Sequence, residues 1–298
     1  RYGQGENMTH ALLELAERRT VIFDGAMGTM LMAAGLPAGE NPVSWNLDKG
    51  ELVGDIHRQY YEAGSDAVHT NTFLGNPLKL HQSGLLEKTA LLNEKAAKIA
   101  RKVCPEGKFV AGDMGPTGQF MKPLGELSPE EAEESYFRQA EALLTGGVDF
   151  ISIETMFSLE EALSALRGAK RLGDILVIAA MTYNRTKKGF FTMMGEGVAQ
   201  CVAALEEAGA DVIGSNCTLG SADMIDLTKE IKGVAQKPVL IQPNAGQPVT
   251  RKGITSYEQP PAEFAEHGKA IREAGAQMIG GCCGTNADFI RELVKALN

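Results

Sequence analysis

The 298-residue chain lacks the features that would take it to a membrane, out of the cell or onto a nucleic acid. No apolar run approaches the ~18 residues of a membrane span. No basic start followed by an apolar stretch marks a secretory leader, so a cytoplasmic location is expected. The 29 Lys and Arg are outnumbered by 38 Asp and Glu, giving a net charge of -9. The basic residues are scattered, which excludes the cationic stripe that nucleic acids need. There is one tryptophan, and there are only five cysteines. An odd cysteine count without an export signal fits a reducing compartment, where thiols serve metals or cores rather than disulfides. What the chain does have is 44% hydrophobic residues, enough for a large core in one barrel or two modest domains. Arg1 to Asn7 reads as an appended segment ahead of a native-looking Met8, leaving residues 8–298 as the folded unit.

A repeat chooses between those architectures. Glu62-Ala63-Gly64-Ser65-Asp66, Thr145-Gly146-Gly147-Val148-Asp149, Glu207-Ala208-Gly209-Ala210-Asp211 and Glu273-Ala274-Gly275-Ala276-Gln277 each place glycine where a helix C-terminus needs a left-handed residue. A β-rich run follows each: Ala67 to Thr70, Phe150 to Ile153, Val212 to Ser215 and Met278 to Gly281. Four further apolar runs bounded by turn residues fall between them: Thr20 to Phe23, Phe109 to Gly112, Leu176 to Ala179 and Pro238 to Ile241. The intervening segments carry helical periodicity, as in Leu52, Val53, Ile56, Tyr60 and Ala63. Eight buried strands alternating with helices predict a single parallel (β/α)8 barrel, with a doubly wound sheet as the weaker option.

In such a barrel the strand C-termini form the active mouth. Aligning the repeats puts Asn71, Glu154, Asn216 and Cys282 at one position and Thr72, Thr155, Cys217 and Cys283 at the next. Cysteines distant in the chain are thereby brought to one mouth. Adjacent Cys282 and Cys283 would point to opposite faces of a regular strand, so the strand must break there, and Gly280, Gly281 and Gly284 permit it. Three thiolates and one open position suit zinc; three buried thiols acting as small hydrophobes are the alternative. A metal rich in sulfur ligands suits binding a substrate thiol as thiolate, and hence alkyl transfer. Hydrolysis would want histidines and a general base at the metal, and His57 and His69 read as helix and strand residues without catalytic work. Asp24 and Glu154 end strands and can hold an ammonium, unless they serve as a helix cap or loop ion pair. The Gly25-Ala26-Met27-Gly28-Thr29 turn offers backbone N–H groups to a carboxylate.

These segments resemble a known family. Asp24-Gly25-Ala26-Met27-Gly28-Thr29, Thr70-Asn71-Thr72-Phe73, Glu154-Thr155, Gly214-Ser215-Asn216-Cys217, Gln242-Pro243-Asn244-Ala245-Gly246 and Gly280-Gly281-Cys282-Cys283-Gly284 look like the homocysteine S-methyltransferases, most of all the homocysteine-binding module of cobalamin-dependent methionine synthases. The resemblance runs from about Thr20 to the end. It implies Cys217, Cys282 and Cys283 as zinc ligands, with homocysteine thiolate as the fourth. It also implies that Asp24 and Glu154 hold the amino acid and that Asn244 occupies the metal when substrate is absent.

The methyl donor is not written in the motifs. Asp55-Ile56-His57 matches the start of a cobalamin-carrier pattern, but Tyr60 stands where that pattern needs glycine. Methylcobalamin on a separate corrinoid-carrying domain or protein is the expected donor, with betaine or S-methylmethionine as alternatives. A zinc hydrolase and a non-catalytic zinc-binding barrel are further readings. The sequence ends on the last helix of one barrel, so the expectation is either a module of a longer enzyme or a small methyltransferase. Two loops are candidate docking surfaces, or else pack over the rim: Met30 to Asp48 with Trp45, and the loop after the fifth strand with Arg185, Lys187, Phe190 and Met193.

Overall fold

The computed structural model describes residues 5–251 and 254–297. Eight parallel strands, numbered in chain order, form one sheet: β1 (Val21–Ile22), β2 (Ala67–His69), β3 (Phe109–Met114), β4 (Phe150–Met156), β5 (Val177–Met181), β6 (Val212–Gly220), β7 (Val239–Asn244) and β8 (Met278–Ile279). Each strand pairs with its chain neighbour, and β8 pairs with β1. A parallel bridge from Phe23 to Ala67 joins β1 to β2 and closes the barrel. A helix follows every strand, from Gly50–Ala63 after β1 to Ala287–Leu297 after β8. The (β/α)8 expectation holds.

The repeat has a mechanical meaning at its last residue. Gly64, Gly147, Gly209 and Gly275 all have positive φ, between 93° and 111°, and turn the chain from helix to strand. Two residues later, Asp66, Asp149, Asp211 and Gln277 each accept a hydrogen bond from the preceding strand: from the N–H of Ile22, Val110, Val177 and Val239, at 3.0, 2.7, 2.8 and 2.9 Å. Each of the four also donates its own N–H to the carbonyl of that same residue. One five-residue motif, used four times, thus clamps the base of β2, β4, β6 and β8 to the strand before it.

Alternation along the strands then fills the lumen. Val21, Phe23, Ala67, Phe109, Ala111, Phe150, Ile178, Val212, Leu240 and Met278 form the inner core, and Leu12 and Ala16 of the helix Gly5–Arg18 join it. The same inward positions become polar toward the strand C-termini, so the chemistry sits on an apolar floor.

The strand ends depart from regularity where the repeats predict function. β1 and β8 shorten to two residues each. β4 and β6 run on, with register shifts between Ile153 and Met156 and between Asn216 and Gly220. Thr155, Cys217 and Thr218 there take φ of 60°, 61° and 59°, a region non-glycine residues seldom visit. Two hairpins stand above the mouth: Asn184–Thr186 with Gly189–Phe191 after β5, and Pro248–Arg251 with Ile254–Tyr257 after β7. Of the loop residues considered for docking, Trp45 and Phe190 are buried in the rim, whereas Met193 is exposed, as is Phe120 in the loop after β3.

Candidate metal centre

Beyond Ile279 the last strand gives way to a turn, so the two adjacent cysteines escape the alternation of a strand. Cys282 N–H donates to Pro243 O at 2.8 Å, and Ala245 N–H donates to Cys283 O at 2.9 Å, which holds the pair beside Asn244. Gly284, at φ 83°, lies under the ring of Tyr257: a Cβ there would sit 2.3 Å from Tyr257 Cγ. Gly281 is equally confined, by the Thr285 side chain at 2.5 Å from its would-be Cβ. The left-handed turn at Cys217 swings its thiol to the same place. Cys217 Sγ is 3.9 Å from Cys283 Sγ, which is 4.0 Å from Cys282 Sγ. Among the described residues these three are the group able to share a metal, with ligand atoms within 4.8 Å of one another. Cys104 and Cys201 lie elsewhere.

The thiols behave as one charge-sharing unit. Hydrogen bonds from Cys217 and Cys282, with a further one from Tyr257, pull Cys283 down to about 3. The same bonding, with burial, pushes Cys282 well above the usual thiol range. One sulfur of the three is thereby favoured as thiolate while its two neighbours are held as thiols that donate to it.

Asn216 ties the thiols to Glu154. Its Nδ2 is 3.1 Å from Glu154 Oε2, 2.7 Å from Thr155 Oγ1 and 3.7 Å from Cys282 Sγ, while its Oδ1 accepts from Thr155 N–H at 2.7 Å. Of the aligned residues, Glu154, Asn216, Cys217, Cys282 and Cys283 converge, whereas Asn71 turns aside to Pro42 O and Asn46. Burial pushes Glu154 up to about 7, against the pull of His69 and with the Asp24 charge adding to it.

Asp24 is held lower in the lumen, 1% exposed. His69 Nδ1 is 2.7 Å from its Oδ1, and His69 N–H donates to its Oδ2 at 2.9 Å. His69 Nε2 lies 3.1 Å from Ser152 Oγ. Burial disfavours the imidazolium, but Asp24 outweighs it and brings His69 up to about 9. The sequence reading gave His69 no role, although its position two residues before Asn71 and in step with Ala67 already placed it on the inward face. Asp113, the residue after the Phe109-to-Gly112 run and in step with Ala111, escaped notice in the same way. Among the described residues, three buried acceptors at this end of the lumen have no hydrogen-bond partner: Asp113 Oδ1, Gln242 Oε1 and Asn244 Oδ1.

The Gly25-to-Met27 turn forms the rim beside them. Ala26 N–H donates to Thr285 Oγ1 at 3.1 Å, and Tyr60 OH donates to Ala26 O at 3.2 Å. A Cβ on Gly25 would lie 2.6 Å from Thr285 Oγ1, so glycine is required for this approach.

A profile of the homocysteine S-methyltransferase family matches residues 21–297. The methionine synthases of Mycobacterium tuberculosis and Mycobacterium leprae are each 34% identical over 96% of this chain. The chain spans about a quarter of their length, 25%. The oxidised form of the homocysteine methyltransferase MmuM of Escherichia coli shares the fold at a TM-score of 0.82 and 23% identity, over 97% of this chain and 99% of that one. With a profile match over nearly its whole length, the chain belongs to the homocysteine S-methyltransferase family.

Proposed function

We propose that this barrel transfers a methyl group to the sulfur of homocysteine, giving methionine, with zinc held by Cys217, Cys282 and Cys283. The observation that carries the reading is the convergence of three thiols from β6 and the turn after β8 within 4.8 Å, beside polar acceptors that lack partners. The donor set fits zinc, whose sites are often sulfur-rich, and three protein ligands leave the open position that a reactive site keeps. Asn244 Oδ1, buried and unpartnered on the neighbouring strand, is suited to fill that position before substrate arrives. When bound, zinc lowers the pKa of the substrate thiol so that it is present as thiolate at neutral pH.

The chain's own residues orient that thiol. Glu154 and Asp24 face the ammonium end of the amino acid, and the Gly25-Ala26-Met27 turn takes its carboxylate. The thiol proton leaves to solvent, sulfur attacks the methyl carbon, and the donor–methyl bond breaks with its electron pair left on the donor. The apolar lumen floor and the buried walls keep water from competing. A hydrolytic reading is weakened because His69, the histidine of the lumen, is already engaged by Asp24 and Ser152.

Methylcobalamin, carried on a separate domain or protein, is the donor that the motifs favour. The rim carries exposed Met32, Phe120, Leu124 and Met193, an apolar fringe suited to receiving such a carrier. The test of the metal is direct. Replacing Cys217, Cys282 or Cys283 by serine, one at a time, should strip the zinc and abolish methyl transfer, with the thermal midpoint little changed because the core lies below the rim. Full zinc content in all three variants would rule the site out. Cys104→Ser and Cys201→Ser should keep both metal and activity.

A further inference from the structure

Asp24 is a shared acceptor, already engaged before any substrate cation arrives. Both of its oxygens are engaged by His69, through the ring at 2.7 Å and the backbone N–H at 2.9 Å. An ammonium entering this lumen therefore has use for a further acceptor besides Glu154 and the shared Asp24.

Asp113 is placed to be that partner. It pairs in register with Ser152, and registered neighbours on parallel strands direct their side chains to the same face. Ser152 Oγ meets His69 inside the lumen, so Asp113 faces inward as well. Its backbone is pinned: the N–H donates to Thr70 Oγ1 at 3.0 Å, and the carbonyl accepts from Thr72 Oγ1 at 2.7 Å. The side chain is 4% exposed, yet Oδ1 has no hydrogen-bond partner. Gln242, 3% exposed and also inward-facing, leaves its Oε1 unpartnered too. Buried polar groups are almost always satisfied, and these orphans are acceptors, so what is missing is a donor. Burial and then the nearby Glu154 charge lift the Asp113 carboxyl well above its usual range, a repulsion that a cation between them would relieve.

We propose that Asp113 is a binding residue for the amino-acid substrate, its buried Oδ1 accepting an N–H of the ammonium group that Glu154 also holds. This rests on the reading of the mouth as a homocysteine site. It makes the barrel selective for thiols carrying an α-ammonium over the same thiols without one.

The experiment measures dissociation constants of L-homocysteine and of 4-mercaptobutanoate, its analogue lacking the amino group, on the zinc-loaded protein and on Asp113→Asn. The variant should bind homocysteine about 10- to 100-fold more weakly, the loss of one charge-assisted hydrogen bond, and bind 4-mercaptobutanoate unchanged. Its zinc content should equal that of the parent. Unchanged homocysteine affinity, or an equal loss for both thiols, would overturn the assignment. Should Asp113→Asn fail to fold, Asp113→Ser gives the same ratio of the two affinities and is read in the same way. If the unsubstituted protein itself shows no preference for homocysteine, the amino-acid site falls and this inference with it, a failure visible before any variant is made.

Discussion

His69 carries a charge that its place in an apolar strand conceals. Burial disfavours its imidazolium, but Asp24 outweighs that and lifts the ring from its ordinary 6.5 to about 9 in the fold. A basic group whose pKa rises on folding contributes its stability in full below the unfolded value and loses it as pH climbs through the folded one. The stability advantage of the protein over His69→Gln should therefore be largest at pH 6 and fade by about pH 10, as read from urea unfolding midpoints. Glu154 supplies the complementary test for binding. Burial raises it to about 7, with His69 opposing and Asp24 adding, so it gains its charge as pH rises through neutrality. Homocysteine affinity, taken relative to 4-mercaptobutanoate to cancel thiol ionisation, should rise across that interval. In Glu154→Gln the rise should vanish, and binding at high pH should weaken by about 1.5–3 kcal/mol. A pH profile unchanged by the substitution would remove Glu154 from the ammonium site.

The elements are joined by the repeated glycine and the clamping side chain after it, and the four copies are not energetically equal. Gly64 has φ of 111°, and a Cβ there would lie 2.9 Å from Val294 Cγ2. Gly147 has φ of 95°, but a Cβ there would meet nothing within 4 Å. Gly147→Ala should cost only backbone strain, about 1–2 kcal/mol. Gly64→Ala adds overpacking against the last helix, about 1–3 kcal/mol more. Denaturant unfolding of the two variants checks the order, and equal losses would mean that the last helix shifts aside freely. The clamps differ in a similar way: Asp66 bonds both Arg19 and Lys108 as well as β1, whereas Gln277 caps β7 without a charge.

At the scale of the whole molecule, the lumen core and the reactive mouth are separable layers, so the choice of methyl donor is a question about what meets the rim. With homocysteine as acceptor, methylcobalamin should outperform betaine and S-methylmethionine. Its rate should rise almost linearly with concentration if, as proposed, a separate carrier supplies the affinity for the corrinoid. On the proposed zinc reading a chelator should eliminate that rate, because an unbound thiol is mostly protonated at neutral pH. Saturable turnover with betaine and none with methylcobalamin would reassign the donor and leave the homocysteine and thiol sites standing. No helix among the described residues is long and apolar enough to cross a membrane, which agrees with the absence of apolar runs in the sequence.

Strand number, strand order and the four helix-to-strand turns were legible in the sequence, because periodicity and glycine chemistry are local and the repeat states them four times. The convergence of Cys217 with Cys282 and Cys283 was legible too, since equivalent positions on alternate strands of a closed barrel share a layer. Tertiary structure alone decided what lies opposite what across the lumen. Asp24 meets His69, and His69 meets Ser152, across separations of 45 and 83 residues set by the barrel's stagger, which no local pattern encodes. The left-handed turns at Thr155 and Cys217, the burial of Trp45 and the orphaned oxygen of Asp113 likewise depend on how neighbouring strand ends and loops pack. Local sequence could name the polar residues at the mouth, but only the closed barrel determines which of their charges are already balanced and which await a ligand.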